Sequence, residues 1–334
     1  MIWFAWRQLR TQTWITIGAL AVFGVVLAIS GRDLAKIYAA SGIATCATDC
    51  DSLVAIFLRD AQAGLNGTLY QLALGAVYAV PALIGLFWGA PLVARELEAG
   101  TYRLAWNQSV TRTRWLATKL ATVGLAGIAT AGLLSLGVSW WAQHIDQTAL
   151  DRITPLVFGA RGVVPIAYAA FALAVGVTAG MLLRRTVPAM AATLAVYVGA
   201  VAVMPVIRGN LLVPTAHTTL PLDTTRIDSF GFRQDGSMHV FGDADIPGAW
   251  VLSNQTITPA GQVFTGPADP QYCGVDHGPK ACLDWVGTLG LRQDLTYQPA
   301  NHFWPLQWAE TGMFLAAALL LTGFCFWWIR RRLT

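Results

Sequence analysis

The chain has 334 residues, of which 55% are hydrophobic and only 12% charged, with a formal net charge of +4. Soluble domains carry charge on about a quarter of their residues, so this composition excludes an ordinary soluble protein and points to a membrane protein. Membrane lipid is an expected partner and nucleic acid is not.

A bilayer core takes roughly 20 consecutive apolar residues per helix, and six runs of that kind follow one another. The N-terminal "MIWFAWRQLRTQ" reads as a short interfacial helix with Trp3 and Trp6 at headgroup level. The first run, Thr13 to Ser30, follows Arg7 and Arg10, which also suits a secretory signal peptide. No small-residue cleavage site comes promptly after it and five further runs do, so it reads as a retained anchor. Residues 31–69 form a loop in which "LVAIFLRDAQAG" predicts a helix resting on the membrane or on other loops through Leu53, Ile56 and Phe57.

The second run is Leu72 to Val93, and a charged cassette, residues 94–119, separates it from the third, Leu120 to Trp141. Glu96 and Glu98 come early in the cassette, as suits a helix start, and Leu97, Thr101, Leu104 and Ala105 recur at helical spacing. A short helix along the membrane surface is predicted, with Gly100 as its weak point and Ser109 or Thr111 capping the next helix. An ordinary snorkelling loop that orients the protein is the plainer reading of the same charges. The fourth run is Val164 to Leu183 and the fifth Pro188 to Ile207. Gly176 and Gly180, with Gly124 and Gly127 of the third run, predict close helix contacts. Residues 208–305 are rich in Gly, Pro, Asp and Thr and alternate in "GAWVLSNQTITPAGQVF", which predicts strands and hairpins rather than helices. The sixth run, Thr311 to Ile329, ends in a basic tail.

Positively charged loops stay in the cytoplasm. With the N terminus inside, Arg7, Arg10, the Arg95–Lys119 cluster, Arg184, Arg185 and Arg330 to Arg332 all fall on that side, and every Asp and His falls outside. The expected fold class is therefore an all-α polytopic membrane protein with six transmembrane helices, cytoplasmic N and C termini and a β-rich external domain between helices 5 and 6. Its divisions are 1–207, 208–305 and 306–334.

Five cysteines sort by this topology. Cys46 and Cys50 share one outer loop, and Cys273 and Cys282 share the external domain. Two close pairs in an oxidising compartment predict two local disulfides, with Cys325 as packing inside the sixth run. A metal site on Cys46, Cys50, Asp49 and Asp51 is the weaker alternative, and no metal is expected. Glu310, at the outer end of the sixth run, either contacts a cation or a basic substrate or reaches the headgroup layer. The five histidines fall in no HExxH or Ser/His/Asp arrangement, so nothing supports an enzyme. Asn66 and Asn254 match short glycosylation patterns that also arise by chance.

The run "GAPLVARELEAGTYRLAWNQSVTRTRWLATKL" resembles the signature of the ABC-2 type permeases, the membrane subunits of ATP-binding-cassette exporters, in particular an actinobacterial branch. The resemblance rests on Arg95, Glu96, Glu98, Gly100, Thr101, Arg103, Trp106, Gln108, Ser109, Arg112, Arg114 and Trp115. It extends more loosely to "MIWFAWRQLR", "GARGVVPIAYAAFALAVGVTAG" and "LLRRTVPAMAATLAVY". It implies that the cassette is a coupling helix docking on a separate ATPase. No GxxxxGK[ST] loop occurs, so this chain binds no nucleotide cofactor of its own; ATP and Mg belong to the partner. The resemblance further implies two ATPase copies, a second permease chain, expected as a homodimer, and a bacterial cell membrane. The pathway would run between halves, with Tyr78, Trp88, Tyr197, Met204 and Glu310 as candidate lining residues. The function implied is export of a hydrophobic or amphipathic compound such as an antibiotic, peptide or lipid. The alternative is a non-transporting membrane sensor with a ligand-binding external domain and a cytoplasmic relay loop.

Overall fold

The computed structural model describes residues 2–47, 50–100, 111–149, 152–232, 237–243, 246–266, 268–273 and 278–331. Among them, six helices are long and apolar enough to cross a membrane. The chain divides into two compact units, Met1–Arg208 with Phe303–Thr334, and Gly209–His302.

The first unit is helical. α1 (Ile2–Ala40) is followed by α2 (Asp51–Ala61), α3 (Gly64–Leu83), a π-helical turn (Ile84–Gly89) and α4 (Ala90–Glu98), the last three continuous. Then come α5 (Arg112–Ala149), the one-turn α6 (Pro155–Phe158), α7 (Val164–Leu183), α8 (Thr186–Ile207) and, after the second unit, α11 (Phe303–Arg331). Several helices overrun the expected spans: α1 continues to Ala40, α3 begins at Gly64, and α5 runs from Arg112 to Ala149. Hydrophobicity marks only the stretch that suits lipid, whereas the backbone ladder continues wherever each N–H finds its carbonyl. Pro155 and Pro165 stand at the starts of α6 and α7, where a missing amide costs nothing. Arg184 closes α7 in the left-handed region at φ 55° and sends the chain straight into α8.

α7 is the mast of this unit. Of its most apolar stretch 72% is buried, against 17% for α8. Glycines let its backbone touch that of span two: a Cβ on Gly176 would lie 2.5 Å from the Gly85 carbonyl oxygen, and one on Gly180 2.5 Å from that of Ala90. The expected role of these two residues is thus seen, with Gly85 and Gly89 completing the seam from the other side. In α2, Phe57 is buried and stacks edge-on against Tyr38, whereas Ile56 is exposed. The disulfide Cys46–Cys50 lies just before α2.

The second unit holds an antiparallel sheet in the order β1 (Ala216–Pro221), β5 (Arg292–Gln298), β4 (Trp250–Ile257), and a two-stranded pair of β2 (Ile227–Phe232) with β3 (Met238–Gly242). β5 pairs Leu295 with Thr218 on one side and Asn254 on the other. Strands were expected here, but the unit also contains α9 (Pro270–Cys273) and the eleven-residue α10 (Gly278–Thr288). α10 packs Cys282 and Val286, one turn apart, onto Met238, Val240 and Leu291. Cys273 and Cys282 are bonded, which ties α9 to α10. Closing so short a loop restricts the unfolded chain by about 2–3 kcal/mol. In the Cys273→Ser/Cys282→Ser double variant, limited proteolysis of the full chain is therefore expected to cut within residues 209–302 while leaving the helical unit intact. Unchanged resistance would show that the core holds α10 without the bond.

Candidate functional site

A buried polar cluster of the helical unit lies where α8 ends and α11 begins. Arg208 and Glu310 are 1% and 0% exposed at their side chains. Arg208 Nε donates to Glu310 Oε2 at 2.8 Å and Nη2 to Oε1 at 3.2 Å, while Nη1 donates to the Pro155 carbonyl at 3.2 Å. The guanidinium lies 4.1 Å from the Phe158 ring centroid. Tyr168 of α7 donates its hydroxyl to Glu310 Oε1 at 2.5 Å. A buried charge pair survives only when its remaining hydrogen-bonding capacity is met, and here Tyr168 of α7 and the α6 turn meet it.

Gln307, one turn before Glu310, fixes the α6–α7 connection. Its Oε1 accepts from the amides of Val163 and Val164 at 3.0 and 3.2 Å, and its Nε2 donates to the carbonyls of Phe158 and Arg161 at 3.1 and 3.2 Å. Gly162, at φ 66°, is where the loop comes too close to Gln307 for a Cβ. Arg161 in turn pairs with Asp146 of α5 at 2.6 and 3.1 Å, both buried.

Beside this cluster lies an apolar groove of about 670 Å³ between α3 and α8, lined among others by Tyr78, Ala82, Leu83, Leu194, Tyr197 and Val201. Tyr197 donates to the Tyr78 carbonyl at 2.9 Å, and Tyr78 donates to the Leu156 carbonyl at 3.0 Å. The groove therefore presents ring faces and aliphatic groups, its hydroxyl protons being already committed.

At the opposite helix ends, α4 is fastened twice. Lys119 of α5 donates to Glu96 and, at 3.1 Å, to the Leu92 carbonyl. Glu98 Oε2 accepts from the amide and hydroxyl of Thr186, at 3.0 and 2.8 Å, at the start of α8. Val93, Trp115, Leu116, Val177, Met181 and Ile329 form an apolar cluster beneath these contacts.

A family model described as ABC-2 membrane transporter related matches residues 17–208. The chain belongs to this family. A search of curated proteins and a search of solved structures each gave no match. An ABC-2 permease is a membrane subunit that works with an ABC ATPase, and the six apolar helices agree with a multi-pass membrane protein.

The expected site residues of the permease distribute as follows. Glu96 and Glu98 tie α4 to its neighbours; Arg95 lies in the last turn of α4, Gly100 follows it at φ 67°, and Arg112 and Arg114 open α5. Thr101, Arg103, Trp106 and Gln108 lie outside the described residues. Tyr78 and Tyr197 line the groove. Trp88 borders a separate cavity with α1 and α5, and Met204 is 1% exposed. Glu310 is buried, with both oxygens bonded by Arg208 and one of them also by Tyr168. Arg208, Arg161, Asp146, Tyr168 and Gln307 were not anticipated. Arg208 directly after an apolar run and Asp146 just past another were the signals, because an ionisable group at such depth needs a partner.

Proposed function

We propose that this permease is the membrane half of an exporter, with both termini in the cytoplasm of a bacterial cell and residues 208–305 forming an external domain. Residues 94–119 receive motion from a separate ATPase, and a hydrophobic or amphipathic compound leaves along the groove between α3 and α8. The observation that carries this reading is the double fastening of α4. Glu96 holds it to α5 and Glu98 to α8, so a push on the segment after Gly100 is delivered to three membrane helices at once. ATP and Mg²⁺ sit on the partner, two copies of which serve two permease chains in a homodimer. The β-containing unit adds no coupling of its own in this scheme.

The test is gentle purification from native membranes, identification of what accompanies the permease, and ATP hydrolysis with and without Glu98→Ala or Arg103→Ala. A co-purifying ATPase whose attachment or turnover falls in both variants is expected. Folded permease without an ATPase would sink the exporter and favour the sensor.

A further inference from the structure

The three-stranded sheet of the second unit has two edges, and they are treated differently. β4 is screened by the chain that returns beside it: the Phe264 amide donates to the Thr256 carbonyl, the Thr258 amide to that of Gln262, and Ile257 bridges Val263. β1 forms the other edge, beyond β5. Which of its backbone groups face β5 follows from Leu222, just past its end, whose amide donates to the Leu291 carbonyl at 3.0 Å. The register carries that alternation back through Leu220, Thr218 and Ala216. The amides and carbonyls of His217 and Thr219 therefore face away from the sheet, and among the described residues no backbone group is bonded to them.

Folded proteins usually defend such an edge with a charge, a bulge or a proline. β1 has no Lys, Arg, Asp or Glu, and it pairs with β5 without a register shift, although β2 with β3 and β4 with β5 each have one. Its proline, Pro221, comes only at its last position. The edge also fits itself. With a second β1 laid antiparallel about Thr218, His217 and Thr219 of one copy exchange backbone bonds with Thr219 and His217 of the other. The two Thr218 side chains are then opposed, a favourable cross-strand pair, and Leu220, which is exposed, falls opposite the small Ala216. Pro221, with no amide to give, ends the ladder.

We propose that β1 is the docking edge for a second copy of this chain, so that two β-containing units share one continuous sheet across β1. This rests on the homodimer of the exporter reading and adds where the two units meet.

The test is disulfide trapping of the full chain in native membranes, read on non-reducing gels against the parent, whose free cysteine, Cys325, is buried. Thr218→Cys is expected to give a linked dimer, because opposed residues at a non-hydrogen-bonded site lie about 4.5 Å apart, within disulfide reach. Leu220→Cys is the more exposed position, yet at least about tenfold less trapping is expected. Its two copies are four positions out of register, about 13 Å apart along the strand. Adding Thr219→Pro to Thr218→Cys removes an outward amide and no bond to β5, so trapping is expected to fall while protease resistance of the unit is kept. No trapping at position 218, equal trapping at 218 and 220, or linkage of Thr218→Cys to a different polypeptide would overturn the inference. A trapped dimer without an ATPase would defeat the exporter reading and leave the edge standing, and an ATPase-bound permease without trapping would do the reverse.

Discussion

Arg208→Met is expected to destabilise the helical unit by about 3–5 kcal/mol, because it leaves the Glu310 carboxylate buried without its cation. Thermal unfolding of the purified permease in detergent reads this as a marked fall in the midpoint. Adding Glu310→Gln is expected to restore most of the loss. Glutamine is neutral and still offers an oxygen to the Tyr168 hydroxyl, which the carboxylate now accepts at 2.5 Å. The recovery distinguishes an uncompensated charge from simple loss of packing, which a second substitution would deepen. A single variant as stable as the parent would mean that water reaches the pair.

Gly176→Leu is expected to have the larger effect, with little folded protein recovered. Its Cβ alone would lie 2.5 Å from the Gly85 carbonyl oxygen and 2.7 Å from the Ala90 nitrogen. Both are backbone atoms, which cannot swing aside as a side chain does. Overpacking commonly costs about 1–3 kcal/mol, and a wedge against backbone belongs at or above the top of that range. Within a bilayer, helices gain no hydrophobic drive from meeting each other, so lost contact there is not compensated. Gly137→Leu in α5 is the control, because nothing lies within 4 Å of its would-be Cβ. Gel filtration of the two variants side by side settles the point: aggregation of Gly176→Leu with a sharp Gly137→Leu peak supports the seam, and two sharp peaks refute it.

The membrane plan was legible because burial in lipid demands long apolar runs, and each of the six runs lies within a helix. The glycine seam was legible for a related reason, since small residues four apart make a groove on one helix face. Partnerships were not. Arg208 and Glu310 are 102 residues apart and Glu98 and Thr186 are 88, and no local period connects them. Run length also ended the third run at Trp141, whereas α5 continues past Asp146. α10 was hidden by Gly278 and Pro279 at its start, which read as turn signals although a helix begins there readily. Glu96 and Glu98 were read as the start of a helix, but they end one, and their oxygens serve α5 and α8.

The π turn at Ile84–Gly89 sets the rotational phase of span two. Pro81 just before it lacks the amide that a regular ladder would use, and the wider turn takes in one more residue than an α-helix would. One residue corresponds to about 100° of rotation. Before the turn, Tyr78 and Ala82 look onto the groove; within it, Gly85 and Gly89 meet the α7 backbone; after it, Glu96 and Glu98 reach Lys119 and Thr186. Deleting a single residue from the regular helix on either side, where no wider turn absorbs the change, would leave the span long enough for a bilayer but would swing α4 by more than a quarter of a revolution, carrying both carboxylates away from their partners. The length of this helix is thus constrained by angular indexing more tightly than by membrane thickness.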